Sequence, residues 1–158
     1  MKTLIILRHA KAEKNGPSDF ERKLSDEGKI AAEHNAGQMK QHGINPDLII
    51  SSPAKRALKT AKITAKILNI SDNLIIEDLQ IYAAGASKLI KLLRHTDDSF
   101  KEVMLVGHNP DLFEMIEELS PQPVDVLRPG DAVMLKFETN SWQKISAENC
   151  VSTKKIAG

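Results

Sequence analysis

Arg8-His9, Ser51-Ser52-Pro53 with Arg56 close behind, and Gly107-His108-Asn109-Pro110 are the groupings in this chain whose residue types could do chemistry together. Guanidiniums present forked donors that match phosphate oxygens. An imidazole is a competent nucleophile toward phosphorus near neutral pH and needs no metal to become one. Phosphoryl transfer asks mainly for positioning and charge stabilisation, and these groups supply both. Other routes to the same chemistry lack their residues. The single cysteine, Cys150, is followed six positions on by Ile156, where a cysteine phosphatase loop needs Arg. No Asp-x-Asp pair occurs for an aspartyl-phosphate enzyme, and no Gly-rich loop ends in Gly-Lys-Ser/Thr.

Residues so far apart in sequence can act together only if the fold brings them to one edge. Leu4–Leu7, Asp47–Ser51 and Val103–Val106 are short runs, mainly apolar and without alternation, as in strands buried on both faces. Leu74–Ile76 is a shorter strand candidate. Ser25-Asp26-Glu27 supplies a cap and first-turn acids to a helix patterned by Gly28, Ala31, Ala32, Ala36 and Met39 and closed by Gly43. Ser52 reads as an N-cap and Pro53 as the first position of a second helix, with Ala54, Ala57, Leu58, Ala61, Ala65 and Leu68 as its apolar stripe. Further helices are expected over Ser87–Arg94 and 111–119, and a loop over 10–24, which holds Gly16 and Pro17. Pro121, Pro123 and Pro129-Gly130 mark turns. Ala132–Phe137 and Trp142–Glu148 read as two strands joined across Thr139-Asn140-Ser141.

Alternating strands and helices predict an α/β fold: a single domain over 1–158, built as a three-layer sandwich. A mostly parallel central sheet is flanked by helices, with an antiparallel edge at the C-terminal end. The carboxyl ends of parallel strands share one edge, where such folds bind ligands. Arg8, His9, Arg56 and His108 are therefore expected to meet in one pocket. The helix lysines fall mostly off the apolar stripes and read as solvated faces. His34, His42 and His95 are likewise expected in solvent, and Cys150 as a packed thiol. His108 with Asp111 offers two ligands, too few for a metal site. Asn109-Pro110 is expected to shape its loop and cap the helix that follows.

Composition narrows the function classes. Lys and Arg number 22 against 21 Asp and Glu, so the net charge of +1 excludes the bulk footprint of a nucleic-acid binder. Apolar residues are 41% and charged residues 27%, as in ordinary globular proteins. No apolar run approaches the ~20 residues of a membrane helix. The first residues run straight into a strand rather than a signal peptide. One cysteine forms no internal disulfide, which suits a reducing cytoplasm.

Leu7-Arg8-His9-Ala10, then Ser51 through Ala61, then Val106-Gly107-His108-Asn109-Pro110 resemble, in order, the three motifs of the histidine phosphatase superfamily, the phosphoglycerate-mutase-like fold. The short length and Asp19-Phe20-Glu21-Arg22-Lys23-Leu24-Ser25 bring the chain nearest the SixA-type phosphohistidine phosphatase branch. The resemblance implies a metal-independent enzyme without cofactor that hydrolyses phosphohistidine on a protein, such as a histidine-containing phosphotransfer domain. His9 would be the nucleophile that becomes phosphorylated. Arg8, Arg56 and His108 would hold the phosphoryl oxygens, with Arg22 a further candidate contact. Ala10 stands where the commonest motif has Gly. Ile81 stands where larger relatives carry a Glu acid, leaving Glu77, Asp78 and Tyr82 as candidate donors. The segment between the second and fourth strands is too short for the helical insertion that roofs the pocket in those relatives. A phosphatase of small phosphomonoesters and a non-catalytic phosphate-binding module stand as alternatives.

Overall fold

The computed structural model describes residues 1–158. Its six strands are β1 (Lys2–Arg8), β2 (Leu48–Ser51), β3 (Ile75–Glu77), β4 (Glu102–Gly107), β5 (Ala132–Phe137) and β6 (Cys150–Ala157). They form one sheet in the order β3-β2-β4-β1-β5-β6. The first four strands are parallel, β5 runs antiparallel to β1, and β6 antiparallel to β5. The helices are α1 (Asp26–Gln41), α2 (Lys55–Ile67), α3 (Gln80–Ala83), α4 (Ala86–Arg94) and α5 (Asp111–Leu119). None is long and apolar enough to cross a membrane.

The unalternating apolar strands serve two cores at once. Leu4, Ile6, Leu48, Ile50, Val103 and Leu105 face α4 and α5. Ile5, Leu7, Ile49, Met104 and Val106 face the other way, against Met39 of α1 and Ala57, Ala61 and Ala65 of α2. This is the expected three-layer sandwich, because period 2 sends neighbouring residues to opposite faces. Alanine on the inner stripe of α2 lets that helix lie close to the sheet. Helix α1 begins as its sequence indicates, with the Ser25 hydroxyl accepting from Gly28 N at 3.0 Å.

Register does the positioning. Arg8 pairs with Gly107 across β1 and β4, and Ser51 with Val106 across β2 and β4. The ladder runs one residue further: His9 N donates to Gly107 O at 3.0 Å and Ser52 N to Val106 O at 2.9 Å. Three strand ends thus stop at one level.

Two sequence expectations are corrected. Trp142–Glu148 is not a strand. Trp142–Lys144 makes one 3₁₀ turn, and the fully buried Trp142 donates from Nε1 to Phe100 O at 2.7 Å. Its apolar residues fill the core, whereas the strand paired with β5 is the more polar Cys150–Ala157, an edge strand with little apolar signal. Helix α2 starts at Lys55 rather than Pro53, with Ala54 as its N-cap residue. Ser52 Oγ accepts from Ala54 N at 3.2 Å, holding the turn before the helix. The one-turn α3 was not anticipated. Between β2 and β4 only α3 and α4 follow the helix α2, so no large insertion is present.

A β-carbon added at Gly28 would run into the Lys11 carbonyl, which belongs to the loop over the strand ends, whereas one added at Gly37 meets nothing within 4 Å. Gly28→Ala is expected to lose roughly 1–3 kcal/mol in urea unfolding, through overpacking against backbone. Gly37→Ala, in the middle of the same helix, should gain roughly 0.5–1 kcal/mol. A shift of the same sign in both would show that α1 does not pack on that loop.

Candidate active site

Arg8, His9, Arg56 and His108 meet where β1, β2 and β4 end. His9 and His108 are 9% and 8% exposed and Arg56 is 5% exposed, so charge here is largely withdrawn from water. The two imidazoles stand 5.1 Å apart between ring centres. His9 Nδ1 lies 2.7 Å from Ala10 O. A carbonyl only accepts, so Nδ1 carries the proton and Nε2 the free lone pair. Ala10 is itself pinned, its N–H donating to Thr60 Oγ1 at 3.1 Å, while that hydroxyl donates to Arg56 O at 2.7 Å.

His108 takes the other tautomer. Arg56 Nη2 lies 3.4 Å from its Nδ1 and can only donate, leaving Nε2–H to donate to Ser52 Oγ at 2.8 Å. Arg8 Nη1 donates to Leu127 O at 3.0 Å, and burial lowers the pKa of this guanidinium from its ordinary value against the pull of the buried Asp131. Asn109 ties down the same carbonyl, with Nδ2 donating to Leu127 O at 2.9 Å, and its Oδ1 accepts from Phe113 N at 3.3 Å at the start of α5. The Nε atoms of Arg8 and Arg56 are buried and have no hydrogen-bond partner within the protein. Orphaned charged donors of this kind call for an anion.

Asp19 carries no signal of its own within its sequence motif, yet it organises the outer rim. Its Oδ2 accepts from Arg56 Nη2 at 3.0 Å and from the Tyr82 hydroxyl at 2.6 Å. Its Oδ1 accepts from Arg22 Nε at 3.1 Å, and its backbone carbonyl from Arg56 Nη1 at 2.6 Å. Tyr82 packs edge-on to both His108 and Phe20, at 5.5 and 5.1 Å. Arg22 therefore belongs to the cluster through Asp19. Of the three candidate proton donors only Tyr82 is brought here. Glu77 is exposed on β3, and Asp78 accepts from Gln80 N at 2.9 Å to start α3. Ile81 is fully buried, and a β-carbon at Gly107 would lie 2.7 Å from its Cγ2. His34, His42 and His95 are exposed, as anticipated. No three His, Cys, Asp or Glu side chains come together as a metal ion would need.

Burial, then Arg56, Arg8 and Arg22, push His9 down to about 4, against the pull of its bond to Ala10. Burial, His9 and Arg56 push His108 down to about 3. The bond from Tyr82, with Arg56 and Arg22 behind it, holds the Asp19 carboxyl down to about 2. At neutral pH the site thus holds two neutral imidazoles and three guanidiniums, Arg56 and Arg22 on Asp19 and Arg8 near Asp131. It is a seat for a multiply charged oxyanion beside an unprotonated nucleophile.

Comparisons with known proteins bear on the family and the fold. The family model described as histidine phosphatase superfamily (branch 1) matches residues 4–86. A search of curated protein sequences finds no match. Among solved structures, the candidate phosphohistidine phosphatase SixA of Nakamurella multipartitia superposes with a TM-score of 0.82 at 20% identity, over 97% of this chain and 95% of that one. The corresponding Agrobacterium tumefaciens protein gives 0.78 at 28% identity, over 86% and 92%. A protein histidine phosphatase SixA complexed with tungstate gives 0.79 at 17% identity, over 98% and 96%.

The titrations have a sign. Both imidazoles take up protons less readily folded than unfolded, so the unfolded chain binds more protons between pH 6.5 and about 4. The folded form should lose stability as pH falls through that window and show no dependence on these groups above it. In NMR titrations His9 and His108 should stay neutral at pH 5.5. Protonation of His9 near pH 6.5 would contradict the buried, cation-ringed site.

Proposed function

The chain belongs to the histidine phosphatase superfamily, and on that premise we propose that it hydrolyses phosphohistidine on a protein through a covalent intermediate on His9. The observation that carries this reading is the lone pair of His9 Nε2, fixed by the bond from Nδ1 to Ala10 O, beside the buried, unpartnered Nε–H groups of Arg8 and Arg56. In the first step Nε2 attacks phosphorus, the new N–P bond forms, and the substrate's own N–P bond breaks. The leaving imidazole departs neutral, having taken a proton from solvent. Water then attacks the phosphoryl group on His9, the N–P bond breaks, and inorganic phosphate leaves. Arg8 and Arg56 hold the phosphoryl oxygens throughout, His108 joins them when its Nε2–H turns from Ser52 Oγ to a phosphoryl oxygen, and Arg22 steadies the rim through Asp19. Because guanidiniums neutralise the phosphoryl charge, the reading assigns no role to a metal or other cofactor.

The substrate class follows from the proton inventory. An alkyl phosphate expels an alkoxide whose conjugate acid is nearly as weak as water, pKa ~15.7, and needs an enzyme acid. Phosphohistidine expels an imidazole with a conjugate-acid pKa near 6.5. With Ile81 committed to the core and Asp19 ionised, the site favours the second. An open rim without a roof also suits a protein surface. Such a phosphorelay partner places the enzyme in the cytoplasm, a setting that the free thiol of Cys150 fits. One observation favours small phosphomonoesters instead: the Tyr82 hydroxyl reaches the rim and could donate a proton.

His9→Ala should lose turnover by several orders of magnitude while folding normally. Quenching the wild type in alkaline detergent should trap a phosphoryl group that is acid-labile and base-stable, as a phosphoramidate is. Excess EDTA should leave the rate within about twofold. Near-normal turnover in His9→Ala would refute the mechanism. Arg56→Lys keeps the charge but loses the planar fork, with an expected drop in kcat/KM of roughly 10²-fold, about 2.7 kcal/mol.

Across a series of aryl phosphates the rate should fall steeply as the leaving-group pKa rises, with alkyl phosphates almost inert. Tyr82→Phe should change phosphohistidine hydrolysis by less than about tenfold, under 1.4 kcal/mol. A flat leaving-group dependence that steepens in Tyr82→Phe would identify Tyr82 as an acid and give small esters first place.

A further inference from the structure

Helix α2 breaks local rules that nothing in its packing requires it to break. Its thirteen residues carry Lys55, Arg56, Lys59, Lys62 and Lys66 and no acid. Carboxylates are favoured in a first turn, yet Lys55 and Arg56 stand there. The site accounts for Arg56. The lysines recur at i, i+4, i+7 and i+11, so they share one stripe about 16 Å long. All four are exposed, and like charges at these spacings repel. Lys59, Lys62 and Lys66 make no ion pair, and Lys55 has only Glu21 at 4.0 Å.

The stripe forms one wall of a trough of about 360 Å³ that Lys23 and Lys29 close from the other side. Leu24 and Leu58 line it as well, and no acid does. A second hollow further along α2 shares Lys29, Lys59 and Lys62 with the trough and adds Lys66, with Glu33 and Asp72 also in its lining. Its near end adjoins the phosphoryl site: Lys23 and Lys55 follow and precede Arg22 and Arg56 in the chain, and both arginines bind Asp19. Lys55 N also donates to Phe20 O at 3.1 Å.

We propose that this lysine-walled trough docks an acidic face of the phosphorylated protein whose phosphoryl group enters the site. The inference rests on the protein-substrate reading above and adds to it the partner's charge and where the partner lies. Uncompensated lysines that cost the free helix stability gain from a carboxylate-bearing surface, and the two leucines add apolar contact as protein interfaces do. A nucleic acid is the poorer occupant. The trough has no aromatic side chain on which a base could stack, and the chain's net charge is only +1.

The test uses the triple variant Lys29→Glu, Lys59→Glu, Lys62→Glu, whose changes are all on exposed side chains outside the phosphoryl site. Its kcat/KM toward a histidine-phosphorylated phosphotransfer domain with an acidic surface should fall at least 30-fold at low salt, mostly through KM. Hydrolysis of an aryl phosphate should stay within twofold, which also shows that the variant is folded. Binding of poly-L-glutamate should weaken at least tenfold. A loss below threefold on the phosphoprotein would overturn the proposal. If the wild type cleaves the aryl phosphate but no phosphoprotein, the substrate reading fails. Poly-L-glutamate then decides alone: weaker binding by the variant upholds a site for acidic protein, and unchanged binding ends it. Tighter binding of oligothymidylate than of poly-L-glutamate would reassign the trough to nucleic acid and overturn the proposal.

Discussion

Crowding positive charge onto one buried edge of a sheet is the constraint around which the rest of this molecule is arranged. Arg56 is buried and Arg8 half-buried, and both would repel any further proton brought near them. The two histidines answer by staying neutral. Asp19 answers from outside, the one carboxylate that touches Arg56 and Arg22 together. Backbone carbonyls complete the accommodation, from Leu127 to Arg8 and from Asp19 to Arg56. None of these partners engages the buried Nε atoms of the two arginines, so their hydrogen bonding within the protein is left incomplete. The same repulsion that costs the empty fold stability is what makes an oxyanion welcome.

Legibility in the sequence followed the strength of the local signal. The chemistry-bearing residues stood out because each follows a strand so apolar that it could only be central, and parallel register then aligned them. Arg22 could be quoted but not explained, since its partner Asp19 sits in an exposed loop whose conformation no periodicity predicts. Thr60 was hidden differently. It lies on the inner face of α2 among alanines, where its hydroxyl bonds to Ala10 N and Arg56 O, and nothing in a helical stripe marks such a contact. Trp142 misled for a physical reason: apolar residues near a chain end look like a strand, yet these fill a core while the polar stretch after them completes the sheet. Ser52 was read as a cap in the right neighbourhood, but its hydroxyl is shared between the turn and His108.

Ile81 shows how packing can decide chemistry. Gly107 brings the last residue of β4 against that side chain, and the contact is part of the core that includes Leu112 and Leu89. A carboxylate at Ile81 would be taken out of water and away from the rim, where it could hold a proton but not deliver it to a leaving group. The position where the resemblance leads one to expect an acid belongs to the core here. Tyr82, the next residue, points instead to Asp19 and the His108 imidazole. One turn of helix divides the two roles between neighbours.

Arg56 divides its own roles in the same way. Both terminal nitrogens are engaged by Asp19, one through the carboxylate and one through the backbone carbonyl, and Nη2 also faces His108. Only the Nε edge is unclaimed. A guanidinium can do this because its five donors lie in one rigid plane, so that anchoring one edge aims the other. An ammonium at the end of a flexible stem would have to choose between Asp19 and the phosphoryl oxygens. It would also leave the charge of Asp19 less well met, loosening Arg22 and Tyr82 together. The loop residue that holds the arginine is thus as much a condition of the site as the arginine itself, although it need never touch the reacting phosphorus.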